Sequence, residues 1–204
     1  MRWLDRAPGE ASTLMKIDPC RLAFDIDGVV ADTMSLFLDI GRQEYGLLDV
    51  GYEDITDWDL AENLNISAKI VEEIIARILE GDYRTPLRAI DGAAGVLSRI
   101  GRHCGSLLMV TARPHPGPID RWMREQLDLE PNSIDIVCTG SFEAKIDVLR
   151  EHKMTHFIED RLDTCFIIDE AGLVPILYKQ PWNREQHPFV EVGSWHELDA
   201  LIAY

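Results

Sequence analysis

Asp25 and Asp27 stand one residue apart, directly after the apolar run Leu22-Ala23-Phe24 and just before Gly28. A run of this kind reads as a buried strand of a parallel sheet, and ligands of such sheets sit beyond the carboxyl ends of the strands. Alternate residues of an extended segment point the same way, so the two carboxylates emerge together. Gly28 lets the chain turn sharply and brings backbone close to whatever binds. Two carboxylates this close repel unless a cation lies between them, and oxygen-only ligands favour a hard ion such as Mg²⁺. A carboxylate nucleophile with a second carboxyl as acid and base suits phosphoryl transfer through an aspartyl phosphate. Taken alone, the pair is also compatible with a loop cap.

Three later apolar runs end in polar residues. Val110 is followed by Thr111-Ala112-Arg113-Pro114. A hydroxyl followed by free backbone N–H groups suits a phosphate oxygen, although a threonine there could equally cap a helix. Lys145 opens a predicted helix, where its charge opposes the helix dipole. It is either solvated or a point charge on phosphate and nucleophile. Phe157-Ile158 runs into Glu159-Asp160. The two acids either complete an oxygen shell begun by Asp25 or simply start the next helix. Arg113 and Arg161 follow these positions and could extend an anion site.

Strands and helices must alternate to bring these ends together. Helical spacing is predicted over 33–45, and a second helix, capped by Ser67, runs to about Glu80. Between them lies the acidic, aromatic stretch 52–60, and Gly81 and Pro86 mark the return. From there the text alternates. Helices are expected over 93–100, 116–127, 142–152 and 162–171, and strands over 107–110, 134–138, 157–158 and 174–177. A last helix over 195–203 follows the capping box Ser194-x-x-Glu197. This order implies right-handed βαβ units. The expected fold is α/β, a Rossmann-like three-layer core with a parallel sheet and a small helical cap inserted after the first strand. The boundaries are 1–19 for an N-terminal extension, 20–32 and 87–204 for the core, and 33–86 for the cap.

In this order the four sites resemble those of the haloacid dehalogenase (HAD) superfamily phosphohydrolases. Asp25 and Asp27 match the first motif, Thr111 the second, Lys145 the third and Glu159-Asp160 the fourth. The insertion resembles the C1-type cap, and the likeness runs from about Cys20 to the C-terminus. It implies Asp25 as nucleophile and Asp27 as general acid and base. It also implies Mg²⁺ held by the Asp25 carboxylate, the Asp27 backbone carbonyl, Glu159 and Asp160. The haloalkanoate dehalogenases lack the second aspartate, so carbon–halogen cleavage is not expected. Asp25-Ile-Asp27-Gly-Val-Val-Ala-Asp32, Asp57-Trp58 and Tyr178-x-x-Pro181-Trp182-Asn183 resemble the 5′(3′)-deoxyribonucleotidase-like branch. Ala112-Arg113-Pro114 departs from that branch and leaves deoxyribonucleotide preference open.

The 204 residues carry 36 acidic against 20 basic side chains, a net charge of −16. That argues against polynucleotides and anionic membranes, which need clustered basic charge. The first nineteen residues lack the apolar core of a signal peptide or a membrane span, and a cytoplasmic protein is expected. Cys20, Cys104, Cys138 and Cys165 form no Cys-x-x-Cys pair and are expected to be small buried hydrophobes rather than disulfides. The expected function is a Mg²⁺-dependent phosphomonoesterase acting on a small phosphorylated metabolite such as a (deoxy)nucleoside 5′-monophosphate. Substrate binding falls to Thr111, Ala112, Arg113, Lys145 and Trp58. A sugar-phosphate phosphatase, a phosphomutase and a non-catalytic phosphate-binding module stay open, and oligomeric state is not readable. Tyr45, Tyr52, Trp58 and Tyr83, with Trp182 across the cleft, either stack on a base or fill the interior.

Overall fold

The computed structural model describes residues 16–204. Six strands form one parallel sheet in the order β3-β2-β1-β4-β5-β6. They are β1 (Leu22–Phe24), β2 (Leu107–Thr111), β3 (Ile134–Cys138), β4 (His156–Glu159), β5 (Val174–Tyr178) and β6 (Val190–Val192). Between β1 and β2 lie α1 (Thr33–Glu44), α2 (Leu60–Asn63), α3 (Ala68–Glu80) and α4 (Ala93–Cys104). After them come α5 (Gly117–Gln126), α6 (Lys145–Glu151), α7 (Leu162–Glu170) and α8 (Trp195–Leu201).

Strand side chains divide by parity, because successive residues face opposite sides of a sheet. Phe24, Met109, Ile158 and Ile176 join one apolar cluster with Leu97 and Ile100 of α4 and Trp195 of α8. Ala23, Leu108, Val110 and Phe157 join the other, with Leu149 of α6 and Ile168 of α7. Helices therefore cover both faces, which makes the three layers. Apolar residues of α1 and α3, among them Phe37, Ile74 and Ile78, continue the first cluster. Trp195 is fully buried, stacks on Phe24 at 5.7 Å and donates its indole N–H to Val29 O at 2.9 Å. The C-terminal helix is thereby fastened to the loop that carries the two aspartates.

Four features differ from the sequence reading. β6 is an added parallel strand. With three residues, two of them exposed, it offers too little alternation to be recognised. α2 is a single turn inside the acidic stretch, with Asp59 accepting from Glu62 N. Residues 17–19 are tied to the core rather than to an extension. Ile17 is buried, bridges Ile202 and exchanges backbone hydrogen bonds with Leu201 and Ala203. The first fifteen residues lie outside the described range.

The cysteine expectation fails for one pair. Cys20 and Cys104 form a disulfide across 84 residues, whereas Cys138 and Cys165 are free and Cys165 is buried. The two partners lie far apart in sequence and meet only because α4 packs against the turn preceding β1. A cross-link closing a loop of this length is worth about 4.5 kcal/mol through the unfolded state. Reduction, or Cys104→Ser, is expected to lower the melting temperature by about 10 °C. Scanning calorimetry with and without reductant checks this, and superimposable traces would contradict the bond.

Candidate active site

The four expected positions converge at the carboxyl ends of β1, β2 and β4 and the start of α6. Asp25 follows β1 directly and is buried. Its carboxylate lies 3.0 Å from Lys145 Nζ, and Lys145 also donates to Glu159 Oε2 at 2.8 Å. Lys145 is wholly inaccessible to solvent, so it is not a solvated lysine. Glu159 is heavily engaged, since its Oε1 accepts the backbone N–H groups of Asp160 and Arg161, both at 3.1 Å. Asp160 does not cap α7. Its Oδ2 accepts from the Trp182 indole, and its buried Oδ1 meets no donor among the described residues. Gly28, at φ +72°, passes so close to Asp160 and Trp182 that a Cβ there would collide with the carboxylate.

Thr111 ends β2, buried, and its hydroxyl accepts from Arg113 N at 3.2 Å rather than capping α5. Arg113 turns back onto Asp27, with Nε to Oδ2 at 2.8 Å and Nη2 to Oδ1 at 2.7 Å. The Thr33 hydroxyl donates to the same carboxylate. Arg113, which the sequence allows as an extension of an anion site, has its guanidinium paired with Asp27 in this structure. Arg161 lies between the rings of Phe142 and Trp58, 4.1 and 4.8 Å from their centroids, and pairs with Asp163.

Asp25, Asp27, Thr111, Ala112, Arg113, Asp160, Arg161 and Trp58 line one cavity of about 210 Å³. Lys145 and Glu159 stand behind its wall. Away from the acids the walls are Met34, Phe37, Leu60, Ile75, Ile78, Leu79 and Phe142. Nothing in their spacing marks Phe142, Thr33 or Gln180 as site residues, and Trp182 and Asn183 stand out in the sequence only as a motif after the last expected strand and, for Trp182, as a ring across the cleft. Only the fold shows that Asn183 Nδ2 donates to Asp160 O at 2.7 Å and Gln180 Nε2 to Gly28 O at 2.6 Å.

The family model described as 5′ nucleotidase, deoxy (pyrimidine), cytosolic type C protein matches residues 19–204. The chain belongs to this family. It is 31% identical over 186 residues to a provisionally named nucleotidase of Halalkalibacterium halodurans, covering 89% of this chain and 92% of the relative. It is 23% identical over 184 residues to the 5′(3′)-deoxyribonucleotidase of Bacillus subtilis, covering 89% and 97%. A HAD-superfamily hydrolase from Ehrlichia chaffeensis shares the fold at TM-score 0.50 and 15% identity over 90% of this chain and 95% of that one. A provisionally assigned phosphoglycolate phosphatase from Lactobacillus delbrueckii superposes better, at TM-score 0.65 and 13% identity, covering 92% and 100%. The protein is thus a HAD-type phosphatase of a nucleotidase family. No helix among the described residues is long and apolar enough to cross a membrane.

Electrostatics distinguish the two aspartates of the first motif. Burial pushes the Asp25 carboxyl up to about 8, against the opposing pull of Lys145. Burial acts on Asp27 too, but the Arg113 guanidinium outweighs it and holds that carboxyl below its usual range. Burial and the neighbouring Glu159 and Asp25 push Asp160 well up. Ligand oxygens of Asp25, Glu159 and Asp160 lie within 4.8 Å of one another. Fully ionised, these three acids exceed Lys145 by two negative charges. That excess, with the unpartnered Asp160 Oδ1, fits a divalent cation.

A raised folded-state pKa for an acid means that the native state holds a proton the unfolded chain has released. Its contribution therefore falls as pH rises from about 4, the unfolded value, to about 8. In EDTA, Asp25→Asn is expected to melt above the wild type at pH 8, with the gap closing toward pH 5. Thermal melts across that range check this, and a gap independent of pH would contradict it.

Proposed function

We propose that the enzyme is a Mg²⁺-dependent phosphomonoesterase that works through a phosphorylated Asp25 on nucleoside 5′-monophosphates, deoxyribonucleotides among them. The observation that carries this reading is that the buried Asp25 carboxylate touches the Lys145 ammonium at 3.0 Å and shares a cluster of oxygens within 4.8 Å with Glu159 and Asp160. Asp25, Asp160 and Glu159, with the Asp27 backbone carbonyl, would hold the cation. Bound there, it would neutralise the acids and the phosphate oxygens.

The remaining chemistry falls to this chain's own groups. Asp25 Oδ attacks phosphorus while the bond from phosphorus to the ester oxygen breaks. Thr111 and the backbone beyond it receive the phosphoryl oxygens, and Lys145 offsets their charge. Asp27 gives the departing oxygen a proton and later takes one from the water that frees phosphate from Asp25. Its bidentate pairing with Arg113 keeps it ionised, the form required for the second step. To carry a proton in the first, it must loosen that pairing as substrate enters.

The leaving group meets the apolar part of the cavity. Met34, Phe37, Leu60, Ile75, Ile78 and Leu79 offer no partner for a ring of hydroxyls, which a free sugar would present. Trp58 and Phe142, with the Arg161 guanidinium against both rings, make a cation–aromatic wall on the remaining side. The walls therefore favour a nucleotide over a sugar phosphate, in keeping with the family model's description.

Two outcomes are expected. With Mg²⁺ the purified chain hydrolyses deoxynucleoside 5′-monophosphates. That activity is lost in EDTA, and Asp25→Asn lowers it about 10³-fold or more. A phosphate-release assay checks this, and a variant retaining a tenth of wild-type turnover would exclude Asp25 as nucleophile. Since base stacking is worth about 1–3 kcal/mol, Trp58→Ala should raise KM for a nucleotide about tenfold, and for a small aryl phosphate much less. Equal changes in the two KM values, or turnover of sugar phosphates alone, would remove the nucleotide reading and leave the phosphatase.

A further inference from the structure

Trp182 stands where the acidic cluster meets the segment between α1 and α3. Its indole N–H donates to Asp160 Oδ2 at 3.0 Å, while Oδ1 of that carboxylate is buried and meets no donor among the described residues. The indole ring lies 5.4 Å from the Trp58 ring, edge to face, and 5.7 Å from the Tyr52 ring. The turn that carries it is braced on both sides. Asn183 holds the backbone oxygens of Asp160 and Tyr178. Gln180 donates to Gly28 O and accepts the Tyr52 hydroxyl at 2.8 Å.

We propose that Trp182 is a positioning residue that fixes the Asp160 carboxylate for a divalent cation and couples cation binding to the inserted helical segment through Trp58 and Tyr52. The inference rests on the reading of Asp25, Glu159 and Asp160 as cation ligands. An indole nitrogen only donates, so Trp182 can orient the carboxylate but cannot compete with it for the cation. With Oδ2 pinned by Trp182, the carboxylate keeps an oxygen within 4.8 Å of those of Asp25 and Glu159, where repulsion would otherwise turn it away. Trp58 and Tyr52 seat the ring that does the pinning. Any displacement of that segment is therefore felt at Asp160, and cation binding must in turn favour the seated segment, since such coupling is reciprocal.

The test is calorimetric titration of the metal-stripped full chain with MgCl₂, without substrate. Trp182→Phe keeps the ring and removes the donor. It is expected to raise the Mg²⁺ Kd about 10–100-fold, as loss of a ligand-orienting partner does. Its melting temperature should stay within a few degrees of the wild type, and excess Mg²⁺ should restore its turnover. Trp58→Ala leaves that donor intact, yet should weaken Mg²⁺ about fivefold or more. A Trp182→Phe Kd within twofold of the wild type overturns the positioning role, and an unchanged Trp58→Ala Kd overturns the coupling. A wild-type chain that takes up no Mg²⁺ overturns the ligand reading itself, a result distinct from both. Should Trp182→Phe fail to fold, the indole N–H resonances of the wild type report instead. Mg²⁺ is expected to shift the Trp182 signal, recognised by its contacts to the Tyr52 and Trp58 rings. The signals of Trp122 and Trp195, bonded to Leu87 O and Val29 O, should stay in place. A Trp182 signal that does not move overturns the proposal.

Discussion

A lysine ammonium with no access to water is tolerable only when carboxylates surround it, and Lys145 has two, Asp25 and Glu159. Those partners come from the ends of β1 and β4, which are neighbours in the sheet, and the lysine comes from the first turn of α6. The ion cluster thus fixes the relative height of three elements. Glu159 extends the effect by accepting two successive backbone N–H groups, which shapes the turn out of β4 and delivers Asp160 to the cavity. Removing Lys145 would leave the two acids buried with no counter-charge, so architecture and chemistry share the same atoms here.

The arrangement spreads negative charge unevenly. Asp27 has a guanidinium of its own, whereas Asp25, Glu159 and Asp160 share one ammonium. Asp27 is thereby kept ionised, and the other three are left short of positive charge. An overall balance of −16 hides this distinction, because it depends on which partners reach which carboxylates.

What could be read from the chain was whatever repeats with a period or ends a run abruptly. Asp25, Thr111, Lys145 and Glu159-Asp160 were each visible as polar residues at an apolar strand's end or a helix start, and a parallel sheet needs nothing further to bring them together. The alternation of strands and helices was equally plain. Contacts between residues far apart in sequence left no such trace. Arg113 looked like an anion ligand because nothing local says that its fork reaches Asp27. Cys20 and Cys104 looked unpaired because α4's packing, not spacing, joins them. β6 was too short to alternate, and Ile17 was a single apolar residue in a charged stretch.

The Cys20–Cys104 bond has a topological consequence. It closes a covalent ring that begins just before β1, runs through the whole helical insertion and ends at the last residue of α4, shortly before β2. Every peptide bond of the insertion lies inside that ring. A protease that cuts an exposed loop there, at Leu48 for example, opens the ring without releasing a fragment. While the bond is oxidised, the β1 segment with its aspartates and the rest of the sheet remain one molecule after such a cut; once the sulfurs are reduced, only sheet pairing and packing hold them together.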